Sequence, residues 1–506
     1  MRGGATVESN LKTARRTKIV ATIGPATQTR EALGALIDAG MNVARLNFSH
    51  SEGPWHRERV ELIREVAASR GRTIGVLIDC PGPKLRIGKI PTGPIELHTG
   101  DPFVLTTEEQ PGNHEQVSVS YATLPDEVHP GDQIFLGDGD VELKVVRTEP
   151  TMVHTTVVSG GPLSSRKGMN FPTRSLSVAA VTERDREGIA LAIEARADFV
   201  ALSFVRTADD VRAARAVMHE FGTVLPLIAK IEKHEALENL DEILEESDGV
   251  LVARGDLAVD IPLEEVPQVQ KRIIRAANNA GKPVVTATQM LRSMVTAPRP
   301  TRAEATDVAN ALYDGTDAVM LSEETAIGQN PPRAVEIMDR ICRATERSVQ
   351  KSGSHRRLPN ERHDSVPDVV AAAASLVSRL LRADALLVPT RTGGTAIKMA
   401  EFRPRQPILA ISTHPLTVGR MTLSWGVWPL LGNEVPTHED MLSEAERVVT
   451  DAGMVEEGDL VVITAGFPVG GPGSTNTVTV KRIGEQLSSG HWSDSDQQSL
   501  FGSGGE

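Results

Sequence analysis

Two acidic residues stand at the ends of apolar runs: Glu232 closes "LPLIAKIE" and Asp256 closes "GVLVARGD". If the two runs are neighbouring strands of one sheet, they lie about 4.8 Å apart. Carboxylates that close repel unless a cation sits between them, and hard oxygen ligands from separate strands suit Mg2+ or Mn2+. Arg45, Arg86 and Lys230 end or follow similar runs and would face the same mouth. Cations converging beside a divalent metal point to phosphoryl chemistry, in which the protein stabilises charge on the transferring group. The chain contains neither GxxxxGK[ST] nor GxGxxG. Phosphate must therefore be held by side chains and metal instead of a glycine loop.

The elements that would position these groups are legible as Val-, Ile- and Leu-rich runs, each followed by an amphipathic stretch. Strands are expected at "KIVATIG", "NVARLNFS", "TIGVLID", "DFVALSF", "LPLIAKIE", "GVLVARGD", "PVVTAT" and "AVMLSEE". Helices are expected at "HRERVELIREVAAS", "EEVPQVQKRIIRAANNAG" and "TRAEATDVANALYDG". This alternation is the signature of an α/β chain folded as a (β/α)8 barrel, whose chemistry sits at the C-terminal strand ends. Residues two apart share a strand face. That groups Arg45 with Asn47 and Ser49, Lys230 with Glu232, Arg254 with Asp256, Thr286 with Thr288, and Ser322 with Glu324, while Asp79 closes the third strand. Interior barrel positions normally want Val, Ile or Leu, so polar sets at so many strand ends predict a site. "GDL" after Arg254 predicts a short helical turn whose N–H groups suit a carboxylate.

The alternation breaks once. Residues 89–173 read as short strands, "PFVLTT", "QVSVSY", "QIFLGDGDVELKVV" and "TMVHTTVV", with no helix between them. The expected division is an N-terminal extension at 1–16, a barrel at 17–88 and 174–350, and an all-β lid at 89–173. A C-terminal α/β block at 351–485 follows, with strands at "DALLVPT", "PILAIST", "VWPLL", "LVVITAG" and "TVTVKR", then a Ser- and Gly-rich tail at 486–506 that reads as disordered. A length of 506 residues fits two to four domains, and 40% hydrophobic residues fit a substantial core. The net charge of −13 argues against a general nucleic-acid binder. Cys80 and Cys342 have no metal or disulfide spacing. No apolar run approaches a membrane span or a signal-peptide core, so a soluble cytoplasmic protein is expected.

The stretches "TKIVATIGPAT", "ARLNFSHS", "AKIEKHEAL", "VARGDLAVDIPLEEV", "ATQMLRSM", "PRPTRAEATDVANALYDGTDAVMLSEETAIG" and "SSRKGMNFP" closely resemble pyruvate kinase, in order, from about residue 16 to 480. The resemblance implies a catalytic barrel, a β-rich lid after its third strand, a C-terminal regulatory domain, and phosphoryl transfer from phosphoenolpyruvate to ADP. It implies that Lys230 stabilises the transferring phosphoryl group and the enolate, and that Glu232 and Asp256 hold Mg2+ or Mn2+. The backbone around Arg254, Gly255 and Asp256 would grip the substrate carboxylate, and Arg45 the phosphoryl group. Arg86 and Lys167 would contact the nucleotide phosphates, with Pro25 and His50 nearby and Asp138 of "LGDGD" closing from the lid. Thr288 matches the position where the enolate is protonated, and Ser322 and Glu324 the region proposed to relay that proton.

The resemblance also gives "IDCPGPKLRIG" a meaning. Asn47, Ser49, Asp79 and the carbonyl of Cys80 match a monovalent-cation site, usually for K+. Lys84 stands where K+-requiring members carry Glu. An ammonium set against Asp79 by the Pro-Gly-Pro turn would substitute for the ion, so activity without K+ is expected. Glu323 and Ala258 replace glycines common in the family, which keeps two other readings in view: a weakened metabolite-binding paralogue and another enolate-forming barrel enzyme. In the C-terminal block, "PTRTGGTA" begins a helix in which Thr390, Arg391, Thr392, Gly393 and Thr395 suit a phosphate, with "GGPGSTN" at 470–476 able to close over it. The same pattern also fits simple capping. The resemblance implies a phosphorylated effector, a sugar phosphate or AMP, and a homotetramer.

Overall fold

In the computed structural model, the sheet that carries the site is a closed ring of parallel strands in chain order. The structure describes residues 14–50, 53–137, 139–172, 176–352, 365–466 and 475–485. The ring strands are Lys18–Thr22, Val43–Asn47, Gly75–Cys80, Phe199–Leu202, Leu227–Ile231, Gly249–Ala253, Val284–Ala287 and Ala318–Leu321. Each is buried along nearly its whole length, as parallel strands covered on both faces must be. Alternation sorts their side chains. Val20, Val43, Leu77, Phe199, Ile228, Leu251, Val285 and Met320 fill the barrel, while their neighbours in sequence pack outward against the helices. The expected α/β barrel is therefore present, with each strand shorter than the apolar run that announced it.

An all-β insert follows the third strand. A six-stranded sheet runs in the order Met169–Asn170, Gln133–Leu136, Val141–Glu149, Met152–Ser159, Pro102–Thr106 and Gln116–Ser118, beside a two-stranded sheet of Ile95–Leu97 and Gly161–Leu163. The insert has its own core around Phe103, Leu105, Ile134 and Leu143. Among its described residues is a short helix, Leu124–Glu127, where no helix was expected; Pro125 in its first turn and the acidic residues after it favour such a start.

The C-terminal block is a five-stranded sheet with Ala385–Pro389 at its centre and an antiparallel edge strand, Thr475–Arg482. Apolar cores lie on both its faces. The linker 353–364, residues 470–474 and the tail 486–506 lie outside the described residues. Cys80 and Cys342 are buried and unpaired with each other. No helix of the described residues is long and apolar enough to cross a membrane.

Candidate active site

Two residues beyond Val43, Leu77 and Ile228, the inward positions of the second, third and fifth strands become Arg45, Asp79 and Lys230. Arg45 Nε donates to Asp79 Oδ2 at 2.6 Å, and its Nη1 donates to Thr22 Oγ1 at 2.9 Å. The Lys230 ammonium lies 2.8 Å from Glu232 Oε1, 3.4 Å from Asp79 Oδ1 and 2.7 Å from Ser203 Oγ. Asp79 and Glu232 are each 1% exposed. Two anions and two cations are thus packed where water cannot screen them.

Burial alone would push the Asp79 carboxyl up, but Lys230 and Arg45 overcome it and hold it below its ordinary value. Burial would likewise lower Lys230; Asp79 and Glu232 reverse that and keep it an ammonium. Glu232 moves upward, first through burial and then through repulsion from Asp256, with Lys230 opposing. Phe204 N–H holds Glu232 Oε2 at 2.9 Å, and Oε1 faces the Lys230 ammonium at 2.8 Å. Two carboxylates that repel each other in a buried site fit a divalent cation.

Asp256 reaches the site by a different route from the one expected. The sixth strand ends at Ala253, and Arg254–Asp260 is a helix, so Arg254 and Asp256 do not share a strand face. Arg254 turns towards the seventh strand, donating to the Ala287 and Thr288 carbonyls at 3.1 and 2.8 Å and pairing with Asp307 at 2.6 Å. Thr286 also departs from the expectation. Val285 and Ala287 face inward, and Thr286 points outward to Thr316. Thr288 takes its place only because its φ of 69° leaves the strand path, after which its Oγ1 accepts Gly255 N–H at 2.8 Å. Glu324 lies on a one-turn helix, Glu323–Ala326. Its carboxylate accepts the Ser322 and Leu291 N–H groups, and burial pushes it upward against those bonds.

A cavity of about 190 Å³ opens between barrel and insert, lined by Lys84, Arg86, Lys167, Lys233, Phe171 and Asp256 among others. Arg86 and Lys167 come together because the chain at 85–87 pairs with 167–169 of the insert. Lys167 is ion-paired with Asp140 at 3.0 Å, and Asp138 lies outside the described residues. Pro25 and His50 sit exposed on the loops after the first and second strands.

Lys84 is not set against Asp79. Both Asp79 oxygens are engaged by Arg45, Lys230 and Ser203, while Lys84 stands on the cavity wall with Asp256. The turn before it is nonetheless stiff. Gly82 has φ 66°, its N–H donates to Asp185 at 2.8 Å, and a Cβ there would come within 2.8 Å of the Ser203 carbonyl. Of the remaining cation-site candidates, Asn47 Oδ1 accepts Ser49 N–H at 3.1 Å, and the Cys80 carbonyl accepts Ser203 Oγ at 2.7 Å.

Ser203 and Phe204 escaped the sequence reading. The one signal was a serine ending the fourth apolar run, the polar strand-end pattern noted elsewhere. In the C-terminal block, Gly393 has φ 87°, its N–H donates to Thr390 Oγ1 at 3.0 Å, and Thr395 Oγ1 meets Thr475 Oγ1 at 2.6 Å. Arg391 and Thr392 lie on the same turn, before the helix Gly394–Glu401.

A parallel barrel whose mouth gathers buried carboxylates, an ammonium and a cation-lined cavity defines a site suited to handling phosphate. Comparison with known proteins makes this specific. Residues 14–335 match the family description "Pyruvate kinase, barrel domain", and 368–481 match "Pyruvate kinase, alpha/beta domain". The chain is 44% identical to pyruvate kinase from Sporosarcina psychrophila over 94% of this chain and 82% of that protein. It is 45% identical to pyruvate kinase 2 from Synechocystis over 93% and 79%, and 42% identical to the Mycobacterium intracellulare pyruvate kinase over 93% and 99%. The chain belongs to the pyruvate kinase family, and its activity is the transfer of phosphoryl from phosphoenolpyruvate to ADP, giving pyruvate and ATP.

Proposed function

We propose that the buried Lys230–Asp79–Arg45–Glu232 network is the phosphoryl-transfer centre of this enzyme. The carrying observation is the Lys230 ammonium, held among two carboxylates and a hydroxyl within 3.4 Å. In that position it meets charge developing on the phosphoryl group and the enolate without having to reorganise. Arg45, fixed by Asp79 and Thr22, faces the same charge. Glu232 and Asp256 would hold Mg2+ or Mn2+, which supplies neutralisation of the developing oxyanions. The Gly255 and Asp256 backbone, anchored through Arg254, would take the substrate carboxylate. Arg86 and Lys167 would take the nucleotide phosphates, and the family resemblance assigns Pro25, His50 and Asp138 to the same ligand. Thr288, Ser322 and Glu324 stand on the two loops offered for the proton step. Thr288 Oγ1 donates to the Ala287 carbonyl at 2.7 Å, which fixes the orientation of its hydroxyl.

Activity without K+ belongs to the same proposal, now on a different footing. The Asp79 carboxylate and the Cys80 carbonyl are already occupied by the chain's own donors, and Lys84 adds its charge from the cavity wall. Neither family departure obstructs the mouth: Glu323 is an exposed side chain 3.5 Å from Arg292, and Ala258 is half-buried on its helix. An effector phosphate at Thr390–Thr395 is supported by the left-handed Gly393 turn. A tetramer is supported by Val366, Val369, Leu376 and Leu380, which form an exposed apolar stripe on one helix. The test is pyruvate formation from phosphoenolpyruvate and ADP by the purified chain. It should vanish in EDTA and return with Mg2+; activity in EDTA would overturn the metal assignment.

A further inference from the structure

The helix Arg254–Asp260 that carries Asp256 has only seven residues, too few to hold a direction by its own hydrogen bonds. Its orientation must come from its two ends. The first end is the Arg254 anchor on the seventh strand described above. The second is Asp260, 4% exposed, whose Oδ2 accepts the His234 backbone N–H at 2.6 Å and lies 2.8 Å from His234 Nδ1. Its Oδ1 takes the Lys233 ammonium. A carboxylate on the last residue of a helix opposes the helix dipole, so local helix physics does not explain it. The contacts across the site do. Lys233 and His234 are the two residues directly after Glu232.

We propose that Asp260 is a positioning residue: it locks the helix bearing Asp256 to the turn that follows Glu232, and so sets the spacing of these two carboxylates. The proposal rests on the reading of Glu232 and Asp256 as the divalent-metal ligands. With Phe204 N–H fixing Glu232 from the other side, each carboxylate is tied down within a few residues of its own backbone. His234, Glu235 and Asp260 could themselves be taken for a metal triad, since their ligand atoms lie within 4.8 Å of one another. The Lys233 ammonium already supplies the cation there, which makes the group a clamp. Outer residues that orient ligands in this way are commonly worth 10- to 100-fold in metal affinity.

Mn2+ binding to the full-length protein, followed by electron paramagnetic resonance and calorimetry, tests this without reference to turnover. Asp260→Asn should weaken Mn2+ binding about 10-fold or more at unchanged stoichiometry. It should raise the Mg2+ activation constant while kcat at saturating Mg2+ changes far less. Asp260→Glu should recover part of the loss. Lys233→Gln probes the same clamp from the partner side and should act in the same direction, so the test survives if one variant does not fold. A folded Asp260→Asn protein with wild-type Mn2+ affinity, or one that loses a second bound ion instead of weakening the first, overturns the proposal. Glu232→Gln serves as the separate control: if it binds Mn2+ like the wild type, the ligand reading itself has failed.

Discussion

The two ends of the barrel solve the same problem in opposite ways. At the lower end the C-terminal block closes the opening. Leu423, fully buried, joins the inner core of Leu77, Phe199 and Leu251, and Thr422 packs so tightly that a Cβ on Gly75 would strike its hydroxyl. Cations occur there too, and some form ion pairs at the rim: Arg64 and Arg403 meet Asp198 and Asp317, the residues just before the fourth and eighth strands, at 2.7 and 3.0 Å. Lys18 donates to the Val427 carbonyl at 2.5 Å and lies over the Trp428 ring, and Arg16 donates to the carbonyls of Ala14 and Arg405. Burial pushes Arg16 down to about 10, with Glu346 opposing. At the upper end the ion pairs lie inside the barrel, Arg45 and Lys230 both meeting Asp79. Burying such pairs costs desolvation that apolar packing would avoid. The lower end shows that the barrel interior can be closed with leucine, so the charge inside the upper end is there for chemistry.

Substitutions should separate the two ends, with the largest effect at the top. Lys230→Met should cut pyruvate formation by at least about 10³-fold, read as kcat in a steady-state assay. Asp79→Asn should destabilise the protein by about 3–5 kcal/mol at neutral pH, because it leaves Lys230 and Arg45 short of an anion. Its pH dependence has a definite sign. A carboxyl held below its ordinary value contributes stability above that value and loses it as the pH falls through the lower, folded one. Denaturation of wild type and variant should therefore converge below about pH 4. Leu423→Ala should cost about 2–5 kcal/mol of stability through the cavity it leaves, while kcat changes little. A large kcat loss in Leu423→Ala would erase the distinction between the ends.

The barrel was legible because strands buried on both faces are nearly continuous apolar runs, and the polar residues ending them stand out. Alternation brought Lys230 and Glu232 together, 2.8 Å apart. It failed at Thr286 and Thr288, where a left-handed residue breaks the period, and at Asp256, where a helix starts immediately after Ala253. Lys84 was read correctly as part of a stiff turn but given the wrong partner, since no local pattern shows that Asp79 is already satisfied by residues 34 positions before it and 151 after it. Ser203 and Asp260 were missed for the same reason. A serine or an aspartate has no special spacing; its importance comes from what the fold brings to it.

The most direct test of the account is the rate of pyruvate formation in Na+- and K+-free buffer with Mg2+, titrating KCl into the wild type and Lys84→Glu. The account predicts a wild-type rate that KCl barely changes and a variant that is slow until K+ is added. A wild type inactive without K+, or a variant as indifferent to it as the parent, would contradict the claim that the chain supplies its own cation at this mouth.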